Sequence, residues 1–221
     1  MRLHHYLLAG LLIFGAMSLS ASTIDQTLGG TSCAPAGLCT SVAGATTISF
    51  DTLLGQTSSY SDGFATYTWG GAGSPFVQGS VNSQYAAPPS DSTTYLTVGS
   101  PGRPSTVTIS FLHAISYFGF YMGSPDTYNS AVFTFSGDGG SQTIAGTSLL
   151  NPANGNQASG NYLNFSSAAG FSEVQIRSTE AAFETDNHAY LAAAPTPEPG
   201  TLVILGAGLV ALGLLRRRVS A

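Results

Sequence analysis

The chain has 221 residues, of which only 8% are charged, and it contains no lysine. Residues 22–194 hold two arginines, Arg103 and Arg177, against ten acidic residues, a net charge of −8. This excludes nucleic-acid binding, which needs clustered basic residues, and it disfavours a helical bundle. The 27 glycines, 11 prolines and 22 Phe and Tyr residues favour short strands joined by turns.

The first 21 residues have the features of a secretory signal peptide. Arg2 precedes an uncharged apolar run at residues 7–17, and small residues follow at 18–22. The run of 11 residues is short for an anchor helix, which needs about 20. We therefore predict a signal peptide over residues 1–21 with cleavage after Ala21.

Cys33 and Cys39 are the only cysteines. An even pair in an exported protein predicts a disulfide, which would close a short loop and stabilise the fold by about 2–3 kcal/mol.

Residues 22–191 show the alternation of half-buried strands. Turn-forming sequences separate the candidate strands, and residues 115–122, bulky on both faces, predict a central strand between two layers. The pattern predicts an all-β, antiparallel β-sandwich with jelly-roll connectivity. The candidate strands are residues 46–50, 65–69, 95–98, 106–111, 115–122, 131–135, 142–145, 162–165, 173–178 and 182–191.

Oxygen ligands at the ends of the domain predict a Ca²⁺ site. Asp51 follows the first strong strand, and Glu184 and Asp186 lie in the last one, so pairing of these strands would bring the three together. Strict alternation places Glu184 and Asp186 on one face and Asn187 on the other. The alternative is that Asp51 and Asp186 only begin turns. No other cofactor is expected.

Residues 124–129 follow the central strand and predict an exposed loop. Its Asp126, Tyr128 and Asn129 could contact sugar hydroxyls and a ring face. The alternative is a type I turn with Pro125 in second position.

Catalysis is not expected. The chain has no Gly-x-Ser-x-Gly, no His-Glu-x-x-His and no phosphate-binding glycine loop. His188 lies beside Asp186 and predicts a surface pair. Ten acidic residues leave a glycoside hydrolase as a further alternative.

The C-terminus combines three features in order. Residues 192–200 form an Ala/Pro-rich linker with Pro197, Glu198 and Pro199. An apolar run follows at 201–215, then Arg216, Arg217 and Arg218, which predict a transmembrane-like helix over residues 201–221 with a cytoplasmic basic end. A plain single-pass anchor is the alternative.

This arrangement resembles the PEP-CTERM sorting signal of Gram-negative surface proteins. The resemblance implies export, inner-membrane anchoring of the precursor, recognition and cleavage by an exosortase, and final placement at the cell surface or in the extracellular matrix. Residues 117–129 and 182–187 also resemble blocks in one subgroup of exosortase-dependent surface proteins.

These features predict a non-catalytic exported protein of the surface or matrix. The alternative is a carbohydrate-binding module for the producer's own neutral exopolysaccharide, since an acidic domain would repel an anionic polymer.

Overall fold

The computed structural model of the chain describes residues 22–71, 73–137, 140–194, 205–209, 212 and 216. These residues form thirteen strands, paired antiparallel, and one turn of 3-10 helix at Gly146–Ser148; residues 205–209 are α-helical. The strands are β1 (Asp25–Leu28), β2 (Thr31–Ser32), β3 (Leu38–Cys39), β4 (Thr46–Ile48), β5 (Tyr60–Ser61), β6 (Ala65–Trp69), β7 (Phe76–Gln78), β8 (Thr94–Val98), β9 (Thr106–Met122), β10 (Asn129–Phe135), β11 (Ser141–Ala145), β12 (Asn161–Ser178) and β13 (Phe183–Ala192).

Two long strands, β9 and β12, organise the fold. They pair along their length, from Asn161 opposite Met122 to Arg177 opposite Thr106, with register shifts between Ser166 and Glu173. Bulges of this kind bend a strand. Gly170 lies at the bend with φ +70°, a backbone conformation that favours glycine.

The bend folds one sheet into two layers. The first contains β1, the start of β12, the end of β9, β13 and β4; the second contains β5, β6, the start of β9, the end of β12, β10 and β11. Phe165 of the first layer lies with its ring centroid 4.8 Å from that of Phe133 in the second. The layers therefore pack face to face over one core, as in a sandwich.

Aromatic side chains fill this core. Each fully buried ring contributes roughly 1.5–3 kcal/mol through removal of apolar surface from water. The fully buried phenylalanines are Phe50, Phe76, Phe118, Phe120, Phe133, Phe165, Phe171 and Phe183.

The end of β9 is buried on both faces. Phe118 and Phe120 enter the main core, whereas Tyr117 and Tyr121 form a second cluster with Tyr162 and other residues on the outer side. The prediction of a central strand at residues 115–122 is confirmed.

The all-β antiparallel prediction is also confirmed, with two corrections. Residues 106–111 and 115–122 belong to one strand, β9, and residues 162–165 and 173–178 belong to one strand, β12. The alternation breaks where these strands bend, because each face changes its surroundings there. Jelly-roll connectivity stays a prediction, and the signal peptide lies outside the described residues.

Candidate functional site

A polar groove of about 470 Å³ lies where several loops meet the start of β13. The loop between β7 and β8 supplies one wall, and the segments before β10, β12 and β13 supply the rest. Hydroxyl, amide and carboxyl groups dominate the lining, together with the ring of Tyr85. The lining residues are Ser80, Val81, Asn82, Ser83, Gln84, Tyr85, Ala86, Asp126, Gly155, Gln157, Ala181, Ala182 and Glu184.

Glu184 lies at the floor of this groove. Its neighbours Phe183 and Thr185 face the core, so alternation turns Glu184 towards the loops. It is only 7% exposed, and its Oε1 accepts a hydrogen bond of 2.9 Å from the backbone N–H of Ala86. Burial, and then the negative charge of Asp126, raise the pKa of Glu184 to about 7, while the Ala86 bond opposes the shift. The carboxyl group can therefore donate or accept a hydrogen bond near neutral pH.

Asp126 is the one predicted glycan-contact residue that lines the groove. The Tyr128 hydroxyl lies 2.8 Å from Asp126 Oδ2 and 2.8 Å from the Ala181 carbonyl oxygen, so Tyr128 holds the acid in place.

Asn129 is 1% exposed, and the expectation that it lies in an exposed loop is wrong. Its Nδ2 donates to Ser178 Oγ and its Oδ1 accepts from the backbone of Asp126. The turn is not the type I turn with Pro125 in second position that was the alternative. It runs from Asp126 to Asn129 and is closed by a backbone hydrogen bond of 3.1 Å, and the Asn129 side chain stabilises it.

The expected pairing of the first strong strand with the last is confirmed, since β4 pairs with β13. The three acidic residues predicted for Ca²⁺ nevertheless have different surroundings. Asp51 is exposed, Glu184 faces the groove, and Asp186 is fully buried beside Asp91. Among the described residues, no group of three or more His, Cys, Asp or Glu side chains could hold a metal ion.

Asp91 was not identified from the sequence. It lies in the loop between β7 and β8 and is 8% exposed. Burial, and then the charge of Asp91, raise the pKa of Asp186 to about 9. The signal that could have identified Asp91 is the Asp-x-Thr spacing, in which Thr93 donates its backbone N–H and its hydroxyl to Asp91 Oδ1 at 2.8 and 2.7 Å.

Asn187 breaks the alternation predicted for the last strand. It has φ +47°, and the pairing of β13 with β9 shifts register between Asp186 and Ala189. Its Nδ2 donates to the carbonyls of Ala36 and Leu38, and Ala36 forms a bridge with Asp91, which lies beside Asp186. Asn187 therefore points to the same side as Asp186, and the prediction that it faces the other side is wrong.

The predicted disulfide between Cys33 and Cys39 is confirmed, with a Cα–Cα distance of 5.7 Å. It closes the β2–β3 hairpin, whose tip residue Ala36 forms a bridge with Asp91. The disulfide therefore limits the freedom of the segment that lies over the buried acids.

His188 is completely buried, which corrects the expected surface pair with Asp186. Its Nδ1 lies 3.1 Å from the Tyr67 hydroxyl and its Nε2 lies 2.9 Å from Thr185 Oγ1. Burial lowers its pKa to about 3, so the imidazole is neutral in the folded protein.

The β domain is followed by a tail that is described only in part. Of the residues predicted to form the sorting signal, Arg216 is described and helical, whereas Pro197, Glu198, Pro199, Arg217 and Arg218 lie outside the described residues. Within the described part of the chain, no helix has the length and apolar character needed to cross a bilayer.

Comparison with known proteins identifies this tail. A family model for the PEP-CTERM protein-sorting motif matches residues 195–218. No curated protein matches the chain. The motif implies export, processing by an exosortase, and a surface or extracellular location.

Proposed function

We propose that this PEP-CTERM protein is a non-catalytic component of the cell surface or extracellular matrix, released from its C-terminal tail by exosortase cleavage. The observation that supports this most strongly is the sorting motif at residues 195–218, placed directly after the end of a folded β domain. The absence of recognisable catalytic motifs from the sequence agrees with a non-catalytic role.

The cleavage proposal is tested by intact-mass spectrometry of the mature protein from its native host. We expect a C-terminus near residues 197–199. The matched control is the same protein from a strain without exosortase, which should retain the tail. Retention of residues 201–218 in the bulk of the protein from the unmodified host would replace the proposal with a permanent anchor.

The polar groove favours a second candidate function, binding of a neutral exopolysaccharide. Side-chain amides of Asn82, Gln84 and Gln157 and two carboxyl groups line one cavity with the Tyr85 ring. Sugar hydroxyls hydrogen-bond to amides and carboxylates, and rings stack on tyrosine. The negative charge of the domain favours a neutral polymer over an anionic one.

Affinity electrophoresis of the chain in gels containing the producer's neutral polysaccharide tests this second function. We expect retardation that is weakened by Gln84→Ala in the groove and unchanged by the control Gln142→Ala on exposed β11. Equal migration with and without polysaccharide would exclude this function and leave the sorting proposal intact.

A further inference from the structure

Two buried carboxyl groups, Asp91 and Asp186, lie together, and no side chain among the described residues supplies a neutralising cation. Asp186 is fully buried and Asp91 is 8% exposed. The chain has no lysine. In the described β domain, Arg103 donates to the Ser74 carbonyl and Arg177 to Gln175, so neither pairs with these acids. Burial of two uncompensated carboxylates is strongly unfavourable.

Each acid also has one oxygen without a partner. Thr93 Oγ1 lies 2.7 Å from Asp91 Oδ1 and 3.4 Å from Asp186 Oδ2 and hydrogen-bonds to both. Within the described part of the chain, Asp91 Oδ2 and Asp186 Oδ1 are buried and accept no hydrogen bond. Buried polar atoms are nearly always satisfied in folded proteins. Either a proton that the raised pKa of Asp186 keeps between the two acids or a bound cation can satisfy these two oxygens.

We propose that Asp91 and Asp186 bind Ca²⁺ through these two free oxygens. Two carboxylates and the nearby hydroxyl of Thr93 form a set of hard oxygen donors, and backbone carbonyls and water complete such sites in proteins. The cysteines are joined in a disulfide and the His188 ring lies among core phenylalanines, so neither the cysteines nor His188 supplies a soft or nitrogen ligand to this site. Ca²⁺ accepts irregular geometry in a loop, whereas Mg²⁺ requires a near-ideal octahedron.

Of the three acidic residues that the sequence predicts as Ca²⁺ ligands, this site keeps Asp186 and has Asp91 in place of Asp51 and Glu184. It needs only two acidic side chains, which agrees with the lack of a three-residue metal cluster among the described residues.

The ion would connect the loop between β7 and β8 to β13. That loop carries Asp91 and also residues 80–86, which line the groove, while β13 carries both Asp186 and Glu184. Bound Ca²⁺ therefore stabilises one wall of the groove against its floor.

Thermal unfolding of the full-length chain in mild detergent, followed by circular dichroism at constant pH, tests the site. We expect the Tm to be about 5–10 °C higher in CaCl₂ at a hundred times the Kd than in EDTA. Equal amounts of MgCl₂ should give a smaller shift. Identical melting in CaCl₂ and EDTA, or an equal shift with MgCl₂, would overturn the proposal.

Asp91→Asn and Asp186→Asn locate the site. Both should lose the Ca²⁺ shift while melting in EDTA no lower than the unmodified chain, because an asparagine amide carries no charge and can donate a hydrogen bond to the remaining acid. The control Asp25→Asn, on exposed β1, should keep the full shift. If an asparagine variant does not fold, the site is tested by Tb³⁺ luminescence of the unmodified chain. We expect added Ca²⁺ to displace bound Tb³⁺ and lower the luminescence. Luminescence that Ca²⁺ does not change would refute the site. A Ca²⁺ shift retained in folded Asp186→Asn would also refute it.

Discussion

Protonation of His188 should destabilise the fold. The imidazole is buried among aromatic rings, with ring centroids 4.9 Å from Phe50 and 5.3 Å from Phe118. Its pKa is lowered to about 3 by burial, against an ordinary value of 6.5. The neutral His188 imidazole therefore contributes its full stabilisation above pH 6.5. This contribution is lost as the pH falls towards 3, because in that range His188 takes up a proton only in the unfolded chain.

The size of this effect follows from the pKa difference. At pH 4.5, two units below the ordinary histidine pKa, the native state still excludes the proton, which corresponds to a loss of about 2–3 kcal/mol in the free energy of unfolding. Glu184 and Asp186 act in the opposite direction, since their raised pKa values make the native state gain stability as the pH falls. The total stability therefore does not isolate His188.

The difference in unfolding free energy between the unmodified chain and a His188 variant isolates the contribution of His188. We would measure urea unfolding of the chain and of His188→Gln in EDTA at pH 7.5, 6.0 and 4.5. The stability advantage of the unmodified chain over the variant should shrink by about 2–3 kcal/mol from pH 7.5 to 4.5. The surface variant His113→Gln is the control, and its difference from the unmodified chain should change much less. A constant difference for His188→Gln across the range would refute the buried neutral imidazole.

Two further substitutions test the β2–β3 hairpin. Gly37→Ala should lower the free energy of unfolding by about 2–3 kcal/mol, because the added Cβ would lie 2.1 Å from Cε1 of Tyr121 at a φ of +74°. The control Gly55→Ala, at φ +72° with open space around it, should lose clearly less in the same urea titration, and equal losses would contradict the packing argument. Replacement of both Cys33 and Cys39 by serine should cost about 2 kcal/mol. Dithiothreitol should lower the urea midpoint of the unmodified chain and leave the double variant unchanged; no effect on the unmodified chain would show that the disulfide adds no stability.

Alternation of apolar and polar residues predicted the strands wherever a face keeps one environment along its length. Val107 and Ile109 face the core throughout, as do Val174 and Ile176. The rule failed at residues 112–114 and 166–171, where β9 and β12 bend between layers. Beyond a bend, each face of a strand packs against different residues than before it. One continuous strand therefore shows two separate alternating patterns of apolar and polar residues in the sequence.

The groove and the Asp91–Asp186 pair could be predicted only in part, because local spacing does not show which distant loop covers a strand. Glu184 and Asp186 do share a face, as alternation requires. They are two residues apart, roughly 7 Å along a strand, and so have different neighbours: Glu184 contacts Ala86, and Asp186 lies beside Asp91. Those partners are 98 and 95 positions away in the chain, and no pattern in the sequence links them.

The buried ionisable groups of β13 lie on both faces of that strand, and their surroundings differ accordingly. His188 faces the aromatic core, where its two nitrogens have partners in Tyr67 and Thr185, so it is satisfied within the fold. Glu184 and Asp186 face the covering loops. Glu184 borders an open groove, and Asp186 has one oxygen that no described residue hydrogen-bonds. A domain with so few charged residues gains no solubility from acids that it buries. Under the two binding proposals Glu184 and Asp186 serve ligands from outside the chain, whereas His188 contributes to packing in the core.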